Sequence, residues 1–536
     1  MEFPAHDALL LAGLLIAVAA MLIGAPRLHV PYPILLVLGG LAIGLIPGLP
    51  HLRIDPDVIL VGLLPPLLYG TAFFTSVTDL RANKRTILAL SIGLVLMTTC
   101  AVAAIAHAVI DGMSWQAAFV LGAVVSPTDP LAATAIARRL GVPHRIVSVI
   151  EGESLVNDGT ALVAYRFAVV AVTTGSFSLG AAIGEFFVSV IGGIAIGLAV
   201  GWVVRMIRRR LDDPPAEITV SIFTGYLAYL PAQAAGVSGV LAAVTVGLYM
   251  GWYTPELTTA EMRLRGVAVW ELLTFVVNAL LFVFVGLQLP TILDDLSGVS
   301  AGQLFGYAAV VCLAVIVVRF LWLFPGTYGP RLISRRWAQR DPAPPWQWVA
   351  VVGWSGMRGA ISLAAALAIP LTTDDGAPFP DRPLIVFLAF TVILATLVFQ
   401  GLSLPLVIRA LRVQGSESEL GEQEAVARIA GAEAALARLD ELAAEPWARD
   451  STVDRLRGTY TFRRRRFASR LDPDEDDELE ERSLAFQRLR YELLDAERAA
   501  LSDLRREGRI SAEIWQRVTR DLDLEDSRLD APMIER

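Results

Sequence analysis

The stretch GAVVSPTDPLAATA, residues 122–135, decides the fold. It lies inside a long apolar segment, yet it carries Pro127 and Pro130 with Thr128 and Asp129 between them. Each proline removes an amide donor and frees a carbonyl one turn upstream. Hydrocarbon has no water to satisfy such groups, so irregular backbone persists there only where it is buried in protein or lines a cavity. A proline in a membrane helix is often only a kink, but two prolines bracketing Thr-Asp favour more than that. The stretch predicts an interrupted membrane helix with a hydroxyl, a carboxylate and unpaired carbonyls gathered at the break. Hard oxygens of this kind suit a cation such as Na+, which shares the oxygen preference of Ca2+ and Mg2+.

The rest of the chain sets that break in a membrane. Of 536 residues, 55% are hydrophobic, and the mean hydropathy is +0.57. That is too apolar for an ordinary soluble protein and indicates a polytopic membrane protein. Apolar runs long enough to span a bilayer fall near 7–25, 30–47, 57–75, 86–110, 115–137, 146–173, 178–204, 217–233, 237–251, 266–289, 301–325, 346–369 and 384–408, about thirteen in all. The first of these lacks a positively charged leader, with Glu2 and Asp7 as its early charges, and reads as a retained membrane helix rather than a signal peptide. Basic residues collect after the odd-numbered segments, from Arg27 through Arg81, Lys84 and Arg85 to Arg409 and Arg412. Excess Lys and Arg marks the cytoplasmic side, so the N-terminus is expected outside and the C-terminus inside.

The fold class expected is therefore an all-α polytopic membrane protein of about thirteen transmembrane helices with a helical cytoplasmic tail. The membrane domain is read as residues 1–411 and the tail as 412–536, where Ala, Glu, Arg and Leu recur at helical spacing. The tail also holds the acidic excess behind the net charge of −8. Its charge runs read as solvated faces or mutual ion pairs, with regulation or dimer contact as the sharper alternative. Cys100 and Cys312 sit in apolar segments and read as small buried residues, without a disulfide framework or zinc spacing.

Ionisable groups inside a bilayer cost about 2.5–3.5 kcal/mol on insertion scales, so they are usually functional and paired. The sixth segment carries EGESLVNDGTALVAYR, with Glu151, Glu153, Ser154, Asn157, Asp158 and Arg166. On a helix, Ser154 and Asp158 are i,i+4 neighbours, and so are Glu153 and Asn157, which makes one polar face. The twelfth segment carries GWSGMRGAISLA, with Arg358 among Gly353, Gly356 and Gly359. This predicts a second broken helix, although a glycine cluster also permits close helix packing. Segments 5 and 12 run in opposite directions, as in inverted-topology repeats whose broken helices cross near the midplane. An unpaired Arg358 at that crossing would be costly, and Glu153 is its expected partner. Arg166 is expected to snorkel, His107 to lie at the interface, and Glu271 to compensate a helix dipole or mark an entrance.

SPTDP, EGESLVNDGTALV, GVSGVLAAVTVGL, WELLTFVVNALLFVFVGLQL and WSGMRGAISLAAAL together resemble the sodium/proton exchanger branch of the monovalent cation:proton antiporters, the NhaP/NHE type. The resemblance runs to about residue 410 and does not include the tail. It implies a homodimer of broken-helix transporters in the cell membrane. It also implies a Na+ site at Thr128 (backbone carbonyl), Asp129, Ser154 and Asp158, with Glu153 close by. Asn157 matches an asparagine that stabilises the crossing, and Arg358 matches an arginine that pairs with the sixth-segment glutamate. The chain departs from the pattern at Tyr69 and Gly70, where many relatives carry a carboxylate, and at Gln233, where a glutamate is common.

Exchange also follows from the residues. Asp158, with Asp129, can hold a proton or a cation but not both, and competition for one site combined with alternating access gives obligatory antiport. Asn157 is neutral and Glu153 is assigned to Arg358, so one exchangeable charge remains. Electroneutral exchange of one H+ for one Na+ or Li+ is the expectation. The rival readings are a K+/H+ antiporter on the same scaffold, an intramembrane aspartyl protease using Asp129 and Asp158, and a channel. No cofactor, nucleic-acid partner or enzymatic activity is expected, and pH homeostasis is the physiological setting implied.

Overall fold

The computed structural model describes residues 31–46, 56–175, 179–211, 213–294, 300–333, 342–413, 417–469 and 477–527, with a few single positions besides. The expected first span, 7–25, lies almost wholly outside the described residues. The chain divides into two compact units, Met1–Gln414 and Gly415–Arg536. Most of the described residues are helical, with one isolated bridge between Thr372 and Pro378.

The first unit comprises α1 (Tyr32–Gly44), α2 (Val58–Phe74), α3 (Val77–Val109), α4 (Trp115–Val125), α5 (Leu131–Arg139), α6 (His144–Thr173), α7 (Leu179–Arg208), α8 (Pro214–Ala234), α9 (Gly239–Leu257), α10 (Ala260–Leu287), α11 (Leu289–Asp294), α12 (Ala301–Ile333), α13 (Trp346–Trp354), α14 (Ala360–Leu367) and α15 (Arg382–Ala410). Six helical stretches among the described residues are long and apolar enough to cross a bilayer, including α3, α6, α12 and α15. The chain is thus a multi-pass membrane protein.

Local chemistry sets the ends. Ser76 caps α3 by accepting from the Asp79 amide at 3.2 Å, so that helix starts nine residues before the apolar run expected at 86. Thr259 likewise caps α10 ahead of the expected 266. The break between α8 and α9 falls in AAGVSG: Gly236 takes the left-handed conformation (φ 75°), which costs glycine little, and Ser238 caps α9. Elsewhere glycine permits close packing. A Cβ on Gly40 of α1 would fall 2.4 Å from the Val283 carbonyl oxygen of α10, and one on Gly286 would fall 2.3 Å from that of Val37. These two helices touch backbone to backbone.

The two segments expected to be broken are both interrupted. α4 stops at Val125 and α5 resumes at Leu131; α13 stops at Trp354 and α14 resumes at Ala360. α6, which carries the polar face, is continuous for 30 residues.

The second unit holds α16 (Glu417–Leu442), α17 (Asp450–Ser469), α18 (Asp477–Arg506) and α19 (Ala512–Asp526). Ala425, Ala432, Val453 and Phe467 are buried between α16 and α17. Arg498 of α18 reaches Asp523 at 2.9 Å and Asp526 at 2.7 Å on α19, and Arg505 lies over the Trp515 ring.

Candidate functional site

A helix interruption leaves backbone groups that must find partners. At the first break they can be traced one by one. In an unbroken helix the Asp129 amide would donate to the Val125 carbonyl. It donates instead to the Met357 carbonyl, in the second break, at 2.8 Å. The Val125 carbonyl accepts from Arg358 Nε at 3.1 Å, and Ser126 Oγ covers the Ala123 carbonyl at 2.9 Å. The Thr128 carbonyl accepts from Asn157 Nδ2 at 3.1 Å. The second break is closed in the same manner: Ser355 Oγ donates to the Val352 carbonyl, and the Arg358 amide donates to Thr396 Oγ1 at 3.1 Å. The two breaks therefore stitch each other together.

Asp129 sits where they meet. Its Oδ1 accepts from the Leu131 amide at 2.9 Å, at the start of α5. A Cβ on Gly359, which caps α14, would lie 1.8 Å from its Oδ2. The carboxylate thus rests at the N-termini of two helices, where the aligned peptide dipoles favour negative charge. Asp158 is 5% exposed on α6. Pro127, Thr128, Asp129, Pro130, Ser154 and Asp158 all line one cavity of about 60 Å³, with α2 and α10 supplying its other wall.

A hydrogen-bond chain holds the site from behind. Asn157 Nδ2 also donates to Thr128 Oγ1 at 2.9 Å, and that hydroxyl donates to Glu153 Oε1 at 2.9 Å. Glu153 is clasped by Arg319 of α12, with Nη1 to Oε1 at 2.5 Å and Nη2 to Oε2 at 2.8 Å. Arg319 further donates to the Val352 carbonyl at the end of α13. Glu153 and Arg319 are 2% and 1% exposed, and a bidentate pair with satisfied hydrogen bonds is the geometry in which a buried ion pair can offset its desolvation.

This corrects the expected Glu153–Arg358 pair. Arg358 is buried, but its guanidinium serves the breaks themselves, donating to the carbonyls of Val125 and Gly356. A guanidinium has five donors, and freed carbonyls are as good a use for them as a carboxylate. Arg319 was missed in the sequence although the signal was present: a lone arginine in VIVVRFLWLF is an intramembrane charge. Glu153 is not among the residues lining the cavity, whereas Asn278 and Ser362, also missed, are.

The remaining expectations fall as follows. Arg166 bonds Gln233 Oε1. Tyr69 bonds Ser221 Oγ at 3.2 Å and Gly70 abuts Trp270, so neither lines the cavity. His107 bonds the Met113 carbonyl and packs, tilted, against the Trp115 ring. Cys100 is exposed and Cys312 half-buried, not buried as expected; an apolar thiol on a membrane helix can face lipid at little cost.

A helical membrane protein with two stitched breaks around a carboxylate-lined cavity of ionic size belongs, by class, with secondary cation transporters. The family model for the transmembrane sodium/hydrogen exchanger matches residues 13–410. An uncharacterized Na+/H+ exchanger of Mycobacterium tuberculosis is 38% identical, over 96% of this chain and 95% of its own. A sodium, potassium, lithium and rubidium/H+ antiporter of Bacillus subtilis is 33% identical, over 70% and 58%. The structure of the sodium proton antiporter MjNhaP1 from Methanocaldococcus jannaschii at pH 8 superposes with a TM-score of 0.58 at 19% identity, covering 76% of this chain and 99% of that one. The chain belongs to the sodium/hydrogen exchanger family, of the NhaP type, and its activity class is cation/proton antiport. It is a secondary transporter rather than an enzyme, and the aspartyl protease reading falls away.

Proposed function

We propose that the protein exchanges Na+ or Li+ for H+, one for one, at the cavity between Asp129 and Asp158. The observation that carries this reading is the meeting of the two breaks: both carboxylates border one small cavity there, together with Thr128 and Ser154. The cation ligands are Asp129, Asp158, Ser154 Oγ and the Thr128 carbonyl. The last accepts one bond from Asn157 and has a second lone pair for the ion. Asp158 carries the exchanged charge. No protein hydrogen bond to its carboxylate is present among the described residues, so it is free to take a cation or a proton. Glu153 is neutralised by Arg319 and Asn157 has no charge. One site and one exchangeable charge make the cycle electroneutral.

Pro127 and Pro130 keep the first break open. Arg358 and Asn157 hold its carbonyls in place. Alternating access follows from about thirteen spans arranged as inverted repeats whose broken helices cross near the midplane. The working protein is a homodimer in the cell membrane, N-terminus outside and C-terminus in the cytoplasm, and it serves pH homeostasis. No cofactor is needed beyond the transported ions.

A second reading, K+/H+ exchange, is favoured by one observation: the name of the Bacillus relative includes potassium and rubidium. The test of both is the purified protein in liposomes with a trapped pH dye and an imposed pH gradient, with Na+, Li+ or K+ added in turn. Collapse with Na+ and Li+, lost in Asp158→Asn, is the expected result. Collapse with K+ alone changes the substrate, and full activity of Asp158→Asn overturns the site.

A further inference from the structure

The cavity has two unlike walls. The breaks and α6 supply its oxygens; α2 and α10 supply Leu67, Leu68, Thr71, Asn278, Leu281 and Phe282. Two of those six are polar, and the hydroxyl of Thr71 already donates its proton to the Leu67 carbonyl at 2.9 Å. Asn278 is 3% exposed, and its buried Oδ1 has no hydrogen-bond partner among the described residues. Native structures rarely leave a buried acceptor unmatched without a reason.

We propose that Asn278 Oδ1 is a cation ligand supplied from the wall facing the two carboxylates, and that its reach sets the discrimination between Na+ and K+. The inference rests on the cavity being the cation site. An amide oxygen adds a hard ligand without adding charge, so the exchange count set by Asp158 is unaltered. It stands on the side where α2 carries Gly70 against Trp270 rather than a carboxylate. α10 is held backbone to backbone against α1 through Gly40 and Gly286, which limits how far Asn278 can follow an ion. A bound cation then bridges both walls. A small ion satisfies both sides with the walls close together, whereas a larger one forces them apart. Selectivity among ions of equal charge rests on this fit between cavity size and ligand rigidity.

The test is exchange in liposomes with Asn278→Ala and Asn278→Ser, each assayed with Na+ and K+, with melting followed in parallel. Loss of one ligand to a charged ion should raise the KM for Na+ about tenfold. The maximal rate should stay within about twofold and the KM for K+ within about threefold, because one neutral ligand acts on affinity for the ion that fits it. Asn278→Ser, which keeps an oxygen on a shorter arm, should recover part of the loss. If Asn278→Ala does not fold, Asn278→Ser carries the same comparison. An unchanged KM for Na+ in the folded variants overturns the proposal, as does a fall in melting temperature and rate with the ratio of Na+ to K+ KM preserved. Asp158→Asn run alongside separates the two levels. If it still exchanges, the cavity reading itself has failed. If it is silent while Asn278→Ala keeps the parent KM, only the role of Asn278 has failed.

Discussion

Gly359→Ala is the smallest change that should disable the site. A Cβ there would stand 1.8 Å from Asp129 Oδ2 and 2.5 Å from both Cβ and Cγ of the same residue. Rotating the carboxylate moves its oxygens but not Asp129 Cβ, so side-chain rotation alone cannot relieve the clash. Reaching even a 3.0 Å contact displaces Oδ2 by about 1.2 Å and, because Cβ and Cγ start at 2.5 Å, parts the two breaks by about 0.5 Å. The breaks are pinned by the bond from the Asp129 amide to the Met357 carbonyl at 2.8 Å, which such a shift would stretch or sever. Overpacking of this kind costs about 1–3 kcal/mol in stability. The functional loss should be larger, because a reacting or binding group misplaced by about 1 Å can cost on the order of a hundredfold. We expect the KM for Na+ to rise at least tenfold with a modest fall in melting temperature. Exchange in liposomes measures the first and thermal unfolding in detergent the second. Gly326→Ala is the control, since a Cβ there meets nothing within 4 Å. A Gly359→Ala protein with the parent KM and the parent melting curve would refute the close apposition of Asp129 and the second break.

Glu153→Gln leaves Arg319 buried without its charge partner and should destabilise the fold by about 3–5 kcal/mol; Glu153→Gln with Arg319→Met should recover part of that in thermal unfolding. Asn157→Ala strips the donor from both the Thr128 carbonyl and its hydroxyl, at about 1–3 kcal/mol, and should raise the KM for Na+ by the same factor in the parent and on a Gly326→Ala background. Competition for Asp158 fixes the sign of the pH response: protonation removes the ligand, so the apparent KM for Na+ should rise as pH falls, about tenfold per unit where the carboxyl is mostly protonated, and saturating Na+ should restore the rate. An electroneutral cycle moves no net charge, so an imposed membrane potential should leave the exchange rate unchanged; a rate that follows voltage sinks the one-for-one count.

How much of this was legible in the sequence depends on how local each signal is. The breaks were visible because Pro127, Pro130 and the glycines around Arg358 act on the backbone within one turn of themselves. The polar face of α6 was visible because residues four apart on a helix share a side, and Ser154 and Asp158 do line one cavity. Charge pairing was not legible in this way. Glu153 and its partner Arg319 lie 166 residues apart, and Arg358, the candidate that the motif offered, is drawn off by carbonyls whose existence the sequence implied but whose positions it did not. Asn278 was invisible for a related reason: an asparagine in an apolar helix becomes notable only once the carboxylates across from it are placed.

The two buried arginines divide a task that a single ion pair could not perform. Interrupting a helix in hydrocarbon exposes carbonyls, and an ion site needs some of them left available. Arg358 donates to the carbonyls of Val125 and Gly356, while Asn157 donates to the Thr128 carbonyl, which in the proposed site keeps its second lone pair for the ion. Arg319 pairs with Glu153, and in the proposed cycle this keeps a third carboxylate near the cavity out of the count of exchangeable charges. Had Arg358 been spent on Glu153, the first break would have kept an unsatisfied carbonyl at Val125. Had Glu153 been left unpaired, it would have competed for protons beside Asp158. Backbone satisfaction and charge counting are separate demands, and meeting both requires donors from two different helices: Arg319 on α12, and Arg358 in the break between α13 and α14.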